Sequence, residues 1–85
     1  TPLHLAVYHR QTACVRALLE SDKVIDLKDG QGKTALHIAA GGDYWEGVEA
    51  LMEGGACLDI QDGQGRLVLD YARQKNAQTA ITMIS

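Results

Sequence analysis

The chain has 85 residues, a formal net charge of −3, 46% apolar residues and no phenylalanine, which bounds it to one small domain whose core must rest on Leu, Val, Ile and Ala. A modest acidic balance argues against a general nucleic-acid or membrane-surface binder. No apolar run approaches the ~20 residues a bilayer requires, and no signal-peptide pattern is present.

The opening hexapeptide Thr1-Pro2-Leu3-His4-Leu5-Ala6 returns 33 residues later as Thr34-Ala35-Leu36-His37-Ile38-Ala39. The turn-like Asp29-Gly30-Gln31-Gly32-Lys33 returns at the same offset as Asp62-Gly63-Gln64-Gly65-Arg66. Each copy has a local logic. Thr1 and Thr34 are placed to cap a short helix, the hydroxyl accepting from a free backbone N–H one turn on. Pro2 suits the first helical position, where its missing N–H costs nothing. Leu3 and Leu36, with Ala6 and Ala39, lay an apolar stripe along the helix. Gly32 and Gly65 suit a positive-φ position before it, and Asp29 and Asp62 suit turns that bond their own backbone.

A fixed period of this length marks a stacked repeat, and the Thr-Pro-Leu-His-x-Ala hexapeptide at period 33 resembles the ankyrin repeat family. The likeness covers nearly the whole chain, most specifically residues 1–6 and 29–39. It implies an all-α solenoid of helix-turn-helix units joined by short β-hairpin turns.

The first unit spans residues 1–32, with helices expected over roughly 2–9 and 12–21. Val15, Leu18 and Leu19 share one side of the second helix, with Arg16 and Glu20 opposite. Val24, Ile25 and Leu27 then suggest a short extended arm within 23–28; Asp22-Lys23 stands where the family often has Gly-Ala, leaving that helix end open. The leading hairpin of this unit is absent, and Leu3, Leu5 and Leu18 are expected to lack a preceding neighbour. Further repeats upstream are therefore expected.

The second unit, 33–65, fits the pattern best, and Gly54-Gly55-Ala56 is placed for a left-handed helix cap. Here Gly47 takes the position of Cys14 and Trp45 that of Thr12. Either the indole covers the space left by the missing side chain, or Trp45 is an exposed binding anchor. The third unit, 66–85, is degenerate: Leu67 replaces the capping threonine and Asp70 the histidine. Leu69, Tyr71 and Ala72 keep the stripe, and a second helix over 78–84 retains Ala80, Ile81 and Ile84, as suits a C-terminal cap.

Little in the chain suggests chemistry of its own. His4 and His37 recur at the repeat period, which accounts for both as structural imidazoles without a metal or catalytic site. Asp29 and Asp62 are one repeat apart and belong to their own turns, not to an acid/base pair. Ser21 and Ser85 have no partnered His–Asp arrangement. Gly30-Gln31-Gly32 is too short for a phosphate loop. Asp43, Glu46, Glu49 and Glu53 have the spacing of a solvated helix face and hold no calcium-loop pattern. Cys14 and Cys57 sit at different repeat positions with no C-x-x-C, and are expected to be unpaired, partly buried thiols in a reducing, intracellular setting. No cofactor, metal or enzymatic activity is expected.

The resemblance implies protein–protein recognition through hairpin tips and a concave surface of first helices. Carried over position by position, that surface comprises Tyr8, His9, Lys28, Gln31, Lys33, Gln61, Gln64, Arg66, Gln74 and Lys75, with Gly41 and Gly42 leaving a shallow gap. Basic residues gather there, which implies either a partner with an acidic segment or charges that only keep the exposed tips soluble, while the acidic run from Asp43 to Glu53 is expected on the convex side. Alternatives are a regulatory or targeting appendage of a larger enzyme or transcription regulator, and a structural spacer.

Overall fold

Helices of under three turns do not hold in isolation, so such a chain must draw its stability from stacking. The structure, a computed structural model, describes residues 2–20 and 25–84. Among them run the helices α1 (Pro2–Tyr8), α2 (Thr12–Leu18), α3 (Ala35–Gly41), α4 (Trp45–Glu53), α5 (Val68–Gln74) and α6 (Gln78–Ile84). The first helices begin at Pro2, Ala35 and Val68 and the second at Thr12, Trp45 and Gln78, each 33 residues after the last. The first helices α1, α3 and α5 pack in one row, and α2, α4 and α6 in a second row behind it. The fold is an all-α repeat stack. The turns at 29–33 and 62–66 are closed by backbone hydrogen bonds, Asp29 N–H to the Lys33 carbonyl (2.8 Å) and Asp62 N–H to the Arg66 carbonyl (2.9 Å). No strand ladder forms among the described residues.

Each first helix ends in the same way. Arg10, Asp43 and Asn76 have φ of 57°, 52° and 58°, one in each unit at the same repeat position. The residue after each returns its N–H to the helix: Gln11 to the Ala6 carbonyl, Tyr44 to Ala39 and Ala77 to Ala72. This left-handed stop turns the chain into the second helix within three residues. Asp and Asn tolerate the conformation and arginine less readily, so the stop at Arg10 is imposed by packing more than by its residue type. Asp43 serves a second purpose, its Oδ1 accepting from the Ala80 N–H (3.0 Å) and so capping α6 from the neighbouring unit. It is therefore not part of a purely solvated acidic face. The end of α4 meets the expectation for Gly54-Gly55-Ala56: Gly55 has φ 88° and Ala56 N–H reaches the Leu51 carbonyl.

The core is a continuous stripe through both rows, including Leu3, Val7, Val15, Leu36, Val48, Leu51 and Val68, with alanines at 35, 39, 40, 72 and 80. Small alanines let the helices approach closely, and the larger side chains pack into one cluster across the units. Leu3 is buried, contrary to the expectation that it lies uncovered with Leu5; Leu5 is exposed and Leu18 half-buried. Helix α1 stops at Tyr8, one residue short of the expected span. Helix α2 ends at Leu18, short of the expected 12–21, and Leu19 and Glu20 form a turn. Residues 21–24, with the first two of the expected arm, lie outside the described residues, as do Thr1 and Ser85, and Ile25 and Asp26 form a turn instead of continuing an extended arm.

The residue that occupies the space beside Gly47 is Tyr44, not Trp45. A methyl group at Gly47 would lie 2.5 Å from the Tyr44 ring, and Tyr44 is buried while Trp45 is 47% exposed. The Tyr44 hydroxyl also bonds Thr12 Oγ1 across the second row. Unit one has Gln11 at the position of Tyr44, so no ring covers Cys14, which is exposed rather than partly buried; Cys57 is half-buried.

Two substitutions test this packing. Gly47→Ala should destabilise the chain by roughly 1–3 kcal/mol through overpacking against Tyr44, despite alanine's better helix propensity. Thr34→Ala should cost about 0.5–2 kcal/mol by removing the cap of α3. Chemical denaturation of each variant beside the parent reads both; an unchanged midpoint for Gly47→Ala would show that Tyr44 moves aside freely.

Candidate functional site

The site is built on the two turn tips. Asp29 Oδ1 accepts from the N–H groups of Gln31 (2.8 Å) and Lys33 (2.9 Å), and Asp62 Oδ1 from those of Gln64 and Arg66 (both 2.9 Å). Gly32 and Gly65 close the turns with φ of 77° each. The tips also join one another, Gly63 N–H donating to the Gln31 carbonyl (3.0 Å). A methyl group on Gly32 would lie 2.5 Å from the Gly63 nitrogen, so the second tip can approach only a glycine there.

Imidazoles tie each tip to the helix behind it. His37 Nε2 lies 3.0 Å from the Arg66 carbonyl, which can only accept, so the ring proton sits on Nε2. The other nitrogen, Nδ1, accepts from the Thr34 hydroxyl (2.9 Å), and Thr34 Oγ1 in turn accepts from the His37 N–H (3.3 Å). His4 makes the equivalent reach one unit earlier, Nε2 to the Lys33 carbonyl at 2.9 Å. In unit three the capping hydroxyl is missing, as expected, and Asp70 Oδ2 accepts from the Leu67 N–H instead (3.4 Å).

Burial alone would raise the Asp29 and Asp62 carboxyls. The backbone N–H groups around each outweigh it, with smaller help from His4 and Lys33 at Asp29 and from Arg66 at Asp62. Both carboxyls are held below the usual carboxylate range.

Between the first tip and the first helices lies a groove of about 690 Å³. Unit one contributes Val7, Tyr8, Arg10 and the tip from Asp29 to Gln31; unit two contributes Lys33, Ile38, Gly41, Gly42 and Tyr44; unit three contributes Tyr71 and Lys75. The gap expected at Gly41 is partly filled, because the Tyr71 ring presses against it: a methyl group at Gly41 would lie 2.2 Å from the ring edge. Around Tyr71 three cations converge, Arg66 at 4.8 Å from the ring centroid, Lys33 at 4.9 Å and Lys75 at 5.7 Å. Each is within reach of the ring's negative quadrupole.

Of the residues expected on the concave surface, Tyr8, Gln31, Lys33 and Lys75 line this groove. Arg66 and Gln74 flank it, hydrogen-bonded to each other, and Arg66 Nε also pairs with Asp62 Oδ2 at 2.9 Å. His9, Lys28, Gln61 and Gln64 are exposed but do not line it. Arg10, Tyr44 and Tyr71 also line the groove, none of them expected on the concave surface. Arg10 donates to the Gly42 carbonyl and lies 5.7 Å from the Tyr44 ring, placements that depend on the neighbouring unit. On the opposite side Glu53 pairs with Arg16 (3.3 Å), so Arg16 is not a free outer cation.

A family model describing ankyrin repeats in three copies matches residues 1–62. The chain belongs to the ankyrin repeat family. No curated protein matches it. Ankyrin repeats are generally protein–protein interaction modules. Among the described residues, no helix is long and apolar enough to cross a membrane, and no three His, Cys, Asp or Glu side chains are grouped to hold a metal ion.

The turn carboxyls predict an acid limb of stability. Their folded values lie below the unfolded ones, so below pH ~4 the unfolded chain binds more protons and stability falls with falling pH. It is fully present above about pH 5. Replacing both by asparagine should lower stability at neutral pH and flatten the loss between about pH 5 and 2. Urea titrations across that range check it; an equally steep limb in the double variant would place the acid sensitivity elsewhere.

Proposed function

We propose that this domain recognises a protein partner by seating an extended, acidic segment of it in the groove between the first turn tip and the first helices. The observation that carries the reading is the convergence of Lys33, Arg66 and Lys75 on Tyr71 beside a groove that Arg10 also lines. Gly42 adds no side chain to the groove, while the Tyr71 ring takes the space beside Gly41, which favours an extended chain over a bulky one. Cations around a groove steer an acidic chain toward it and fix its register more than they raise affinity. The exposed residues outside the groove, His9, Lys28, Gln61 and Gln64, then belong to the rim.

In the same reading the domain consists of units 1–32, 33–65 and 66–85, with further repeats stacked on the exposed side of α1 and α2, and it works in a reducing, intracellular compartment. It acts by binding and not by catalysis. A purely structural spacer is the competing role, and it gives the basic groove no task.

Capture of random dodecapeptides on the immobilised chain tests the proposal. The retained pool should be enriched in Asp and Glu over the input. Retention should weaken between ~0.1 and ~0.5 M salt, as the screening length falls from about 10 Å toward a few ångströms. Lys33→Gln with Lys75→Gln should lose most of the enrichment. Arg16→Gln, on the other side of the molecule, should keep it. A retained pool with the acidic content of the input, or equal losses from both variants, would overturn the groove as an acidic-segment site.

A further inference from the structure

The cations at the groove are not equivalent. Arg66 is committed: its guanidinium pairs with Asp62 and bonds Gln74 while facing the Tyr71 ring. Arg10 is held against the Gly42 carbonyl. Among the described residues, the ammonium groups of Lys33 and Lys75 form no ion pair and no side-chain hydrogen bond, although the charge of Lys33 also acts on Asp29. Both lie within 5.7 Å of the same ring centroid, and the ion pairs among the described residues, Arg16–Glu53 and Arg66–Asp62, leave both out. Asp29 lines the groove, but its Oδ1 is turned to the backbone N–H groups of Gln31 and Lys33.

Four cations thus surround two carboxylates, which leaves a surplus of two positive charges around the groove. Lys33 and Lys75 lie near one buried ring, Lys33 with Asp29 as a partial counter-charge and Lys75 in no ion pair among the described residues, and the two like charges repel each other. A single carboxylate would balance one of them. A phosphoryl group carries about −1.5 to −2 near neutral pH and offers three acceptor oxygens, enough to meet both. Lysine binds phosphate as a point charge, without the fixed fork geometry an arginine would require.

We propose that Lys33 and Lys75 form a seat for a phosphorylated side chain, phosphoserine or phosphothreonine, on the partner segment that occupies the groove. The inference rests on the acidic-segment reading and sharpens it: binding becomes conditional on phosphorylation of the partner. The segment's backbone runs along the groove past Tyr71, and the phosphoryl group lies between the two ammonium groups. The bare acidic segment is then the weak form of the ligand.

Three peptide libraries with identical randomised flanks, fixed at a central phosphoserine, glutamate or serine, are passed over the immobilised chain. The phosphoserine library should be retained roughly tenfold better than the glutamate library, about the effect of one charge-assisted hydrogen bond, and the serine library least. Lys33→Gln and Lys75→Gln should each remove most of the advantage of phosphoserine over glutamate, with the thermal melt of each variant recorded to confirm folding. Because the comparison among libraries is made on the parent chain, the result does not depend on the variants. Equal retention of the phosphoserine and glutamate libraries overturns the phosphoryl seat and leaves the acidic-segment reading standing. Retention of none of the three overturns both. Sedimentation with phosphatidylserine-containing vesicles but not with pure phosphatidylcholine, without a phosphoserine preference, would assign the two lysines to a lipid surface and overturn the seat as well.

Discussion

One hydrogen bond at each of the two junctions between repeats holds this molecule in register: the imidazole in a first helix reaching the backbone carbonyl at the end of the next turn. His37 makes it to Arg66 and His4 makes it to Lys33. Because a carbonyl only accepts, the contact fixes the proton on Nε2 and leaves Nδ1 free to take the Thr34 hydroxyl. Helix cap, imidazole and turn thereby become one unit. A buried polar ring would otherwise be costly, and here both nitrogens are satisfied. The same contact decides where the tips project, and so where Lys33 and Arg66 stand relative to the helices.

A second relation runs between glycines and tyrosines. Gly47 is open on the side where Tyr44 lies, and Gly41 on the side where Tyr71 lies. In each case a ring takes the space a side chain would have filled. The consequences differ. Tyr44 ties the second row together through its bond to Thr12, and so acts on stability. Tyr71 lies under three cations, and so links the packing of unit three to the chemistry of the groove. The degenerate third unit is thereby more than a cap, since it furnishes both the ring and Lys75 on which the basic end of the groove depends.

The charges on the two sides of the stack play different parts. Exposed pairs such as Arg16–Glu53 contribute little to stability. The turn carboxylates are different, because they satisfy backbone N–H groups that would otherwise be left unpaired in a tight turn. The groove lysines lie near the Tyr71 ring and outside both ion pairs, with Lys33 adding a small electrostatic contribution at Asp29.

The sequence by itself determined the repeat, its period and its local devices. Thr34 caps, Asp29 and Asp62 brace their turns, Gly32 and Gly65 take positive φ, and Gly55 stops α4, each because a short-range backbone requirement admits few residue types. Four of the ten residues expected on the concave surface line the groove for the same reason, that position within a repeat fixes direction. Only the tertiary structure decided which ring fills which space. Tyr44 and Trp45 are adjacent in sequence, and the choice between them depends on the shape of the gap beside Gly47. The left-handed stop at Arg10 was equally hidden, since arginine gives no local signal for it and the stacking of α1 on α3 imposes it. Which cations are paired and which are free was likewise settled across units, where side chains far apart along the chain meet and their charges either cancel or remain.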